Sequence, residues 1–119
     1  GNKIPFVNET LNMKKALQII SSKKLGTLIV QNNKKITTGI ITDGQIRRFN
    51  ARSNNLQDLS VKNVMTKNPI SINQDTLAEK ALSIMNTKKI TSLCVHKNKS
   101  KKKTVGILHI HNILQLNIH

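Results

Sequence analysis

Apolar positions along this chain follow two spacings, and the spacings alternate in the same order twice. The apolar residues Met13, Ala16, Leu17 and Ile20 return as Ala78, Ala81, Leu82 and Met85. This i, i+3, i+4, i+7 rhythm places each set on one face of a helix, so each segment predicts an amphipathic helix with one buried face. A short extended start precedes each helix, Ile4 to Val7 and Pro69 to Ile72. Two short apolar runs follow each: Thr27 to Val30 with Gly39 to Ile41, then Ser92 to Val95 with Val105 to Leu108. Runs so short, joined by loops rich in Asn and Lys, predict pairs of antiparallel strands. A shorter helix closes each half, Gln45 to about Ala51 and His111 to about Leu116. Thr10 and Asp75 are the equivalent candidate N-caps, and Thr76 with Glu79 has capping-box spacing.

The second half is a copy of the first. Met13–Val30 displaced by 65 positions falls on Ala78–Val95: Ala16-Leu17 on Ala81-Leu82, Ile19 on Ile84, Lys23-Lys24 on Lys88-Lys89, Leu28 and Val30 on Leu93 and Val95. The second hairpin loop is two residues longer, so the displacement becomes 67, and Gly39-Ile40 fall on Gly106-Ile107 and Ile46 on Ile113. The chain is therefore a tandem repeat of one β-α-β-β-α unit, an α+β fold. Repeat 1 spans residues 1–51, a linker 52–67, and repeat 2 68–119. Apolar Leu56, Leu59, Val61, Val64 and Met65 should pack the linker down. One copy of about 50 residues buries too little apolar surface to stand alone. Two copies packed sheet to sheet would solve that and leave a cleft between them for a small ligand.

Composition narrows the functions. The net charge is +15, from 20 Lys and Arg against 5 Asp and Glu, and such a surface attracts phosphate backbones. Yet there is no Trp or Tyr and only Phe6 and Phe49, so platforms for stacking bases are missing. No zinc-finger spacing, RNP motif or continuous basic helix is present. The lysines lie scattered in pairs (Lys14-Lys15, Lys34-Lys35), and Lys, Asn and Ile are abundant together, as an AT-rich genome would encode. No run approaches the ~18 apolar residues of a membrane span, nor is there the apolar core of a signal peptide. The first residue is Gly1, which suggests a piece of a longer protein. Cys94 is the one cysteine and lies in a predicted strand, where it reads as a small core residue rather than a nucleophile. With no intrachain disulfide available, a reducing, cytoplasmic setting is expected.

The repeat, with Thr at the end of its third strand, resembles the CBS module, usually found in pairs that bind adenosine-type or other nucleotides. The resemblance sharpens at particular strings: Gly1-x-x-Ile4-Pro5-x-Val7, Lys24-Leu25-Gly26, Gly39-Ile40-Ile41-Thr42-Asp43-Gly44-Gln45-Ile46-Arg47-Arg48, Val64-Met65-Thr66, Lys89-Ile90-Thr91-Ser92-Leu93 and Gly106-Ile107-Leu108-His109-Ile110-His111-Asn112. Over essentially all 119 residues they are similar to the C-terminal CBS pair of bacterial D-arabinose 5-phosphate isomerases. The resemblance implies an N-terminal sugar-isomerase (SIS) domain, absent here together with the family's catalytic residues. It also implies a place in the synthesis of Kdo, a sugar acid of lipopolysaccharide or capsule. The pair would be a regulatory part that needs no cofactor. Its candidate effectors are AMP, ATP or the nucleotide sugar CMP-Kdo.

The same resemblance assigns candidate ligand residues. In CBS pairs the Thr or Ser ending the third strand lies by ligand phosphate, where a helix N-terminus suits an anion. Thr42 matches that position, and His109 replaces it in the second copy. Three residues further on, nucleotide-binding modules carry an Asp for the ribose hydroxyls, where this chain has Gln45 and Asn112. A neutral hydrogen bond is weaker than one to a carboxylate, so adenosine affinity should fall about tenfold. The change also leaves Arg47 and Arg48 without a neighbouring negative charge, which favours an anionic ligand; otherwise the pair forms a solvated helix face. Asp43, Thr91, Ser92 and His111 complete the set, with Gly26 and Thr27 opposite. Ile70 and Ile72 either wall the pocket or fill core.

Enzymatic readings fare poorly within this chain. The five acids are Glu9, Asp43, Asp58, Asp75 and Glu79, and none forms an evident acid–base pair. His109-x-His111 lacks companion ligands for a structural zinc site, so no metal is expected. Two readings stand: a ligand-sensing pair that self-associates as a flat dimer (within a tetramer in the parent enzyme), or a structural module that holds isomerase subunits together and binds nothing. A third, nucleic-acid binding, would show affinity that falls steeply with salt.

Overall fold

The structure, a computed structural model, describes residues 4–23 and 26–116. It divides into two compact units, Gly1–Pro69 and Ile70–His119. In the first, β1 (Phe6–Asn8) leads into α1 (Met13–Lys23), the hairpin strands β2 (Thr27–Gln31) and β3 (Thr37–Thr42), and α2 (Asp43–Arg52). β1 lies parallel to β2, with Val7 opposite Val30. β2 and β3 are antiparallel, with Leu28 opposite Ile41. Side chains alternate across a strand, so Leu28, Val30 and Ile41 share one face. They form the core with Met13, Ala16 and Ile20 of α1 and Ile46 of α2.

The segment after α2 belongs physically to this unit. A 3-10 turn (Leu56–Asp58), the short helix α3 (Val61–Val64) and strand β4 (Thr66–Lys67) follow in order. Leu56 and Val61 are buried in the core, and Leu59, Val64 and Met65 pack against it. Burying a side chain of this size is worth about 1.5–3 kcal/mol. Backbone bonds stitch the segment to the stretch before α1: Met13 N–H to Leu59 O (2.8 Å), Val61 N–H to Leu11 O (2.7 Å) and Lys62 N–H to Glu9 O (3.0 Å). β4 then pairs antiparallel with β3, giving a four-stranded sheet in the order β1-β2-β3-β4.

The second unit repeats the plan with β5 (Ser71–Asn73), α4 (Ala78–Lys88), β6 (Ser92–His96), β7 (Gly106–His109) and α5 (Ile110–Leu116). Its sheet has three strands in the order β5-β6-β7. Ile72, Ala81, Met85, Leu93 and Ile113 form its core, the counterparts of Val7, Ala16, Ile20, Leu28 and Ile46.

Several local expectations need correction. Thr10 and Asp75 are not helix caps: their backbone N–H groups donate to Asn8 Oδ1 (2.9 Å) and Asn73 Oδ1 (3.2 Å), forming Asx turns after the first strand of each unit. α1 is capped instead by Asn12, whose Oδ1 accepts from Lys15 N–H at 2.8 Å. α4 starts after Leu77 with no side-chain cap, so the Thr76–Glu79 capping box does not form. At the first position of α4, Ala78 is exposed, whereas its counterpart Met13 is fully buried. The closing helices also begin earlier than expected, at Asp43 and Ile110.

Candidate functional site

Thr42 ends β3 and is the N-cap of α2, with extended backbone (φ −119°, ψ 158°). Its Oγ1 accepts the Gln45 N–H at 3.3 Å, and Gln45 Oε1 accepts the Thr42 N–H at 2.8 Å. This is a reciprocal capping box. The Asp43 N–H donates to Gly26 O at 2.9 Å. Two of the four free donors of the first turn are thus already satisfied by the protein, so an anion here would draw further positive charge from side chains.

Arg47 and Arg48 supply it. A Cβ placed on Gly44 would lie 3.2 Å from Arg48 Nη1, 3.8 Å from Thr42 Oγ1 and 3.9 Å from Arg47 Nη2. Residues three and four positions along a helix share a face with the first. Both exposed guanidiniums therefore fold back over the glycine and meet beside the Thr42 hydroxyl. Their planar forks match phosphate or carboxylate oxygens. On the Gly26 side, a Cβ at Gly26 would meet Asp43 Oδ2 at 2.8 Å, and Gly26 has φ +68°. Only glycine occupies that place without strain.

The second unit keeps the frame and alters the groups. The Ile110 N–H donates to Thr91 O (2.8 Å), as Asp43 does to Gly26. Asn112 Oδ1 accepts the His109 N–H at 3.0 Å, repeating half of the capping box. The imidazole cannot complete it; His109 Nδ1 lies 2.9 Å from Ser92 Oγ instead. Burial lowers the pKa of His109, and the nearby His111 lowers it further. Thr91, His111 and Asn112 are exposed around this pair. Thr27, the counterpart of Ser92, sits opposite Thr42 in the strand pair. It is buried, and its Oγ1 has no hydrogen-bond partner among the described residues.

The predicted residues therefore gather at two equivalent helix starts: Thr42, Asp43, Gln45, Arg47 and Arg48 in one unit, and Thr91, Ser92, His109, His111 and Asn112 in the other. Both amides are held within the fold, Gln45 also donating through Nε2 to Thr66 Oγ1. Ile72 is a core residue and Ile70 packs against that core. Sequence reasoning overlooked Gly44, because its role as the floor under two guanidiniums depends on rotamers. Cys94 is buried, which raises its pKa, while a bond from Thr104 partly offsets the rise. Among the described residues no group of three or more His, Cys, Asp or Glu is placed to hold a metal. Nor is any helix among them long and apolar enough to cross a membrane.

Comparison with known proteins settles the family. The CBS domain model matches residues 2–52 and again 61–118. The chain belongs to the CBS domain family. Its CBS pair is 42% identical over 120 residues to arabinose 5-phosphate isomerase KdsD of Francisella tularensis, covering 99% of this chain and 35% of that protein. The chain thus spans about a third of the length of such relatives. The fold matches the CBS domain pair of protein MJ0100, solved in complex with 5-methylthioadenosine and S-adenosyl-L-methionine (TM-score 0.84, 19% identity, 98% of this chain and 90% of that one). It also matches CBSX2, solved in complex with AMP (TM-score 0.79, 22% identity, 98% and 88%).

Proposed function

We propose that this CBS pair is the regulatory, ligand-sensing part of a cytoplasmic arabinose 5-phosphate isomerase of Kdo synthesis, and that it works as a homodimer. The first unit holds the phosphate of a nucleotide or nucleotide sugar at the start of α2. The observation that carries this reading is the convergence of Arg47, Arg48 and the Thr42 hydroxyl over Gly44. Two guanidiniums at one helix start form a site for phosphate. Asp43, two residues before the amide at position 45, supplies a carboxylate that can accept from ligand hydroxyls. The likeness to KdsD supports the parent activity, and the adenosine compounds of MJ0100 and CBSX2 support the nucleotide class. With an amide in place of the ribose-binding Asp, an acidic nucleotide sugar such as CMP-Kdo suits the two arginines better than adenosine.

A second reading, an assembly module without ligand, draws on the capping box, which already engages Thr42 and Gln45. Calorimetric titration with AMP, ATP, CMP and CMP-Kdo at physiological salt separates the two. Saturable binding of one compound, weakened about tenfold or more by Arg47→Ala with Arg48→Ala, supports the sensor. Absence of binding at millimolar concentration from a folded dimer would leave the assembly module.

A further inference from the structure

The second unit carries a groove at the end of its sheet away from the start of α5. Ser92 bonds His109 at one end of β6, and His96 stands at the other, four residues or about 13 Å along the strand. There a cavity of about 570 Å³ opens beside β5, α4 and the β6–β7 hairpin. Ser71, Lys80, Ile84, His96, Lys99 and Lys101 are among its walls, and no Asp or Glu lines it among the described residues. The side chain of Asn73 holds the hairpin by donating to Asn98 O at 2.9 Å.

His96 is the unusual member. It is 4% exposed, and its Nδ1 lies 2.6 Å from Ser71 Oγ. His96 is also one of the residues that line the groove. When the Ser71 hydroxyl donates to Nδ1, the hydrogen of the neutral ring sits on Nε2. The first unit has Phe6 and Gln31 in place of Ser71 and His96, so this pair arose, or survives, in one copy alone. The two-residue extension of the second hairpin lies in the same lysine-rich loop as Lys99 and Lys101.

We propose that this groove binds a phosphate-bearing small molecule. The imidazole of His96 and the ammonium groups of Lys80, Lys99 and Lys101 surround the phosphate, and the body lies against Ile72 and Ile84. Lysines act as point charges and suit the several oxygens of a phosphate. The volume falls within the roughly 300–1,000 Å³ of small-molecule sites and exceeds what inorganic phosphate alone would fill. The walls of the groove share no residue with the site at α2.

The test is an NMR titration of the 119-residue chain with inorganic phosphate and then glycerol phosphate, at fixed pH and ionic strength. The imidazole C–H signals of His96 and His109 serve as separate reporters. A saturable shift of His96 is expected, tighter for glycerol phosphate. Lys99→Ala with Lys101→Ala, both exposed and so compatible with folding, should raise the apparent Kd by about tenfold. His96→Gln should abolish saturation measured by calorimetry. A His96 response that does not saturate, or is unchanged in the double lysine variant, overturns the proposal, as does a shift at His109 alone. That last result would instead report on the helix-start site.

Discussion

The two units share their core and differ around it. Val7, Ala16, Ile20, Leu28 and Ile46 are matched by Ile72, Ala81, Met85, Leu93 and Ile113, all apolar and all buried. At the helix starts the match ends: Thr42 closes a full capping box beneath two arginines, while His109 closes half of one and turns to Ser92. The sheets differ too, since the first has a fourth strand drawn from the connecting segment. A duplicated unit has to keep its packed interior, where a change of one methylene is felt. Its rims are free to diverge, and there the copies have acquired different chemistry.

The glycines at equivalent places in β3 and β7 give the sharpest contrast. A Cβ on Gly39 would lie 2.8 Å from Met65 Cγ and 3.0 Å from Met65 Cβ, so swinging the thioether aside is not enough. On Gly106 the nearest atom is Val95 Cβ at 3.5 Å, an ordinary contact. Gly39→Ala should cost about 2–3 kcal/mol and Gly106→Ala less than about 1 kcal/mol, read from urea midpoints. Equal losses would mean that Met65 does not constrain the first sheet at Gly39.

The helix caps come next. Asn12→Ala should destabilise by about 1 kcal/mol, and Leu77→Ser, at the uncapped and exposed start of α4, should stabilise by up to about 1 kcal/mol. A smaller gain is expected at the far end of α4, where Lys89 holds a left-handed conformation (φ 57°). Lys89→Gly removes that strain and should raise stability by about 0.5 kcal/mol. Thermal unfolding of the three variants ranks them.

The smallest effect is one of pH. Burial first, and the His111 charge second, hold His109 below its ordinary value of 6.5. The unfolded chain therefore takes up this proton more readily than the folded one. Stability from this group is present above about pH 6.5 and is lost as pH falls through the lowered folded value. His109→Thr, which restores the residue found at position 42, should flatten that part of the profile measured by denaturant titration. An unchanged slope would place the acid sensitivity elsewhere.

The core and element order could be read from the chain because burial imposes periodicity, and periodicity survives in sequence even where residue types change. The caps could not. Thr10 and Asn12 are both competent cap residues, and the choice fell to Asn12 because Asn8 had already drawn Thr10 into an Asx turn. The candidate site was legible in its membership, through the string from Gly39 to Arg48, but not in its geometry. That the Gln45 side chain bonds its own helix start and Thr66, and that the arginines meet over Gly44, depend on rotamers. The groove beside His96 left less trace still, because Ser71 and His96 are 25 residues apart and neither forms part of a motif.

The pairing of β4 with β3 also bears on the order in which the chain can fold as it is made. The interior of the first unit is complete only once Leu56 and Val61 have emerged, and its sheet only once Thr66 and Lys67 have followed. Domains fold as units during synthesis, the N-terminal one first. Here the first can close just three residues, Asn68 to Ile70, before β5 begins. A nascent chain halted after Arg52 would hold all five elements of the repeat and still leave its apolar interior open to water. The ribosome must therefore deliver the connecting segment before the first copy can stand as a finished piece.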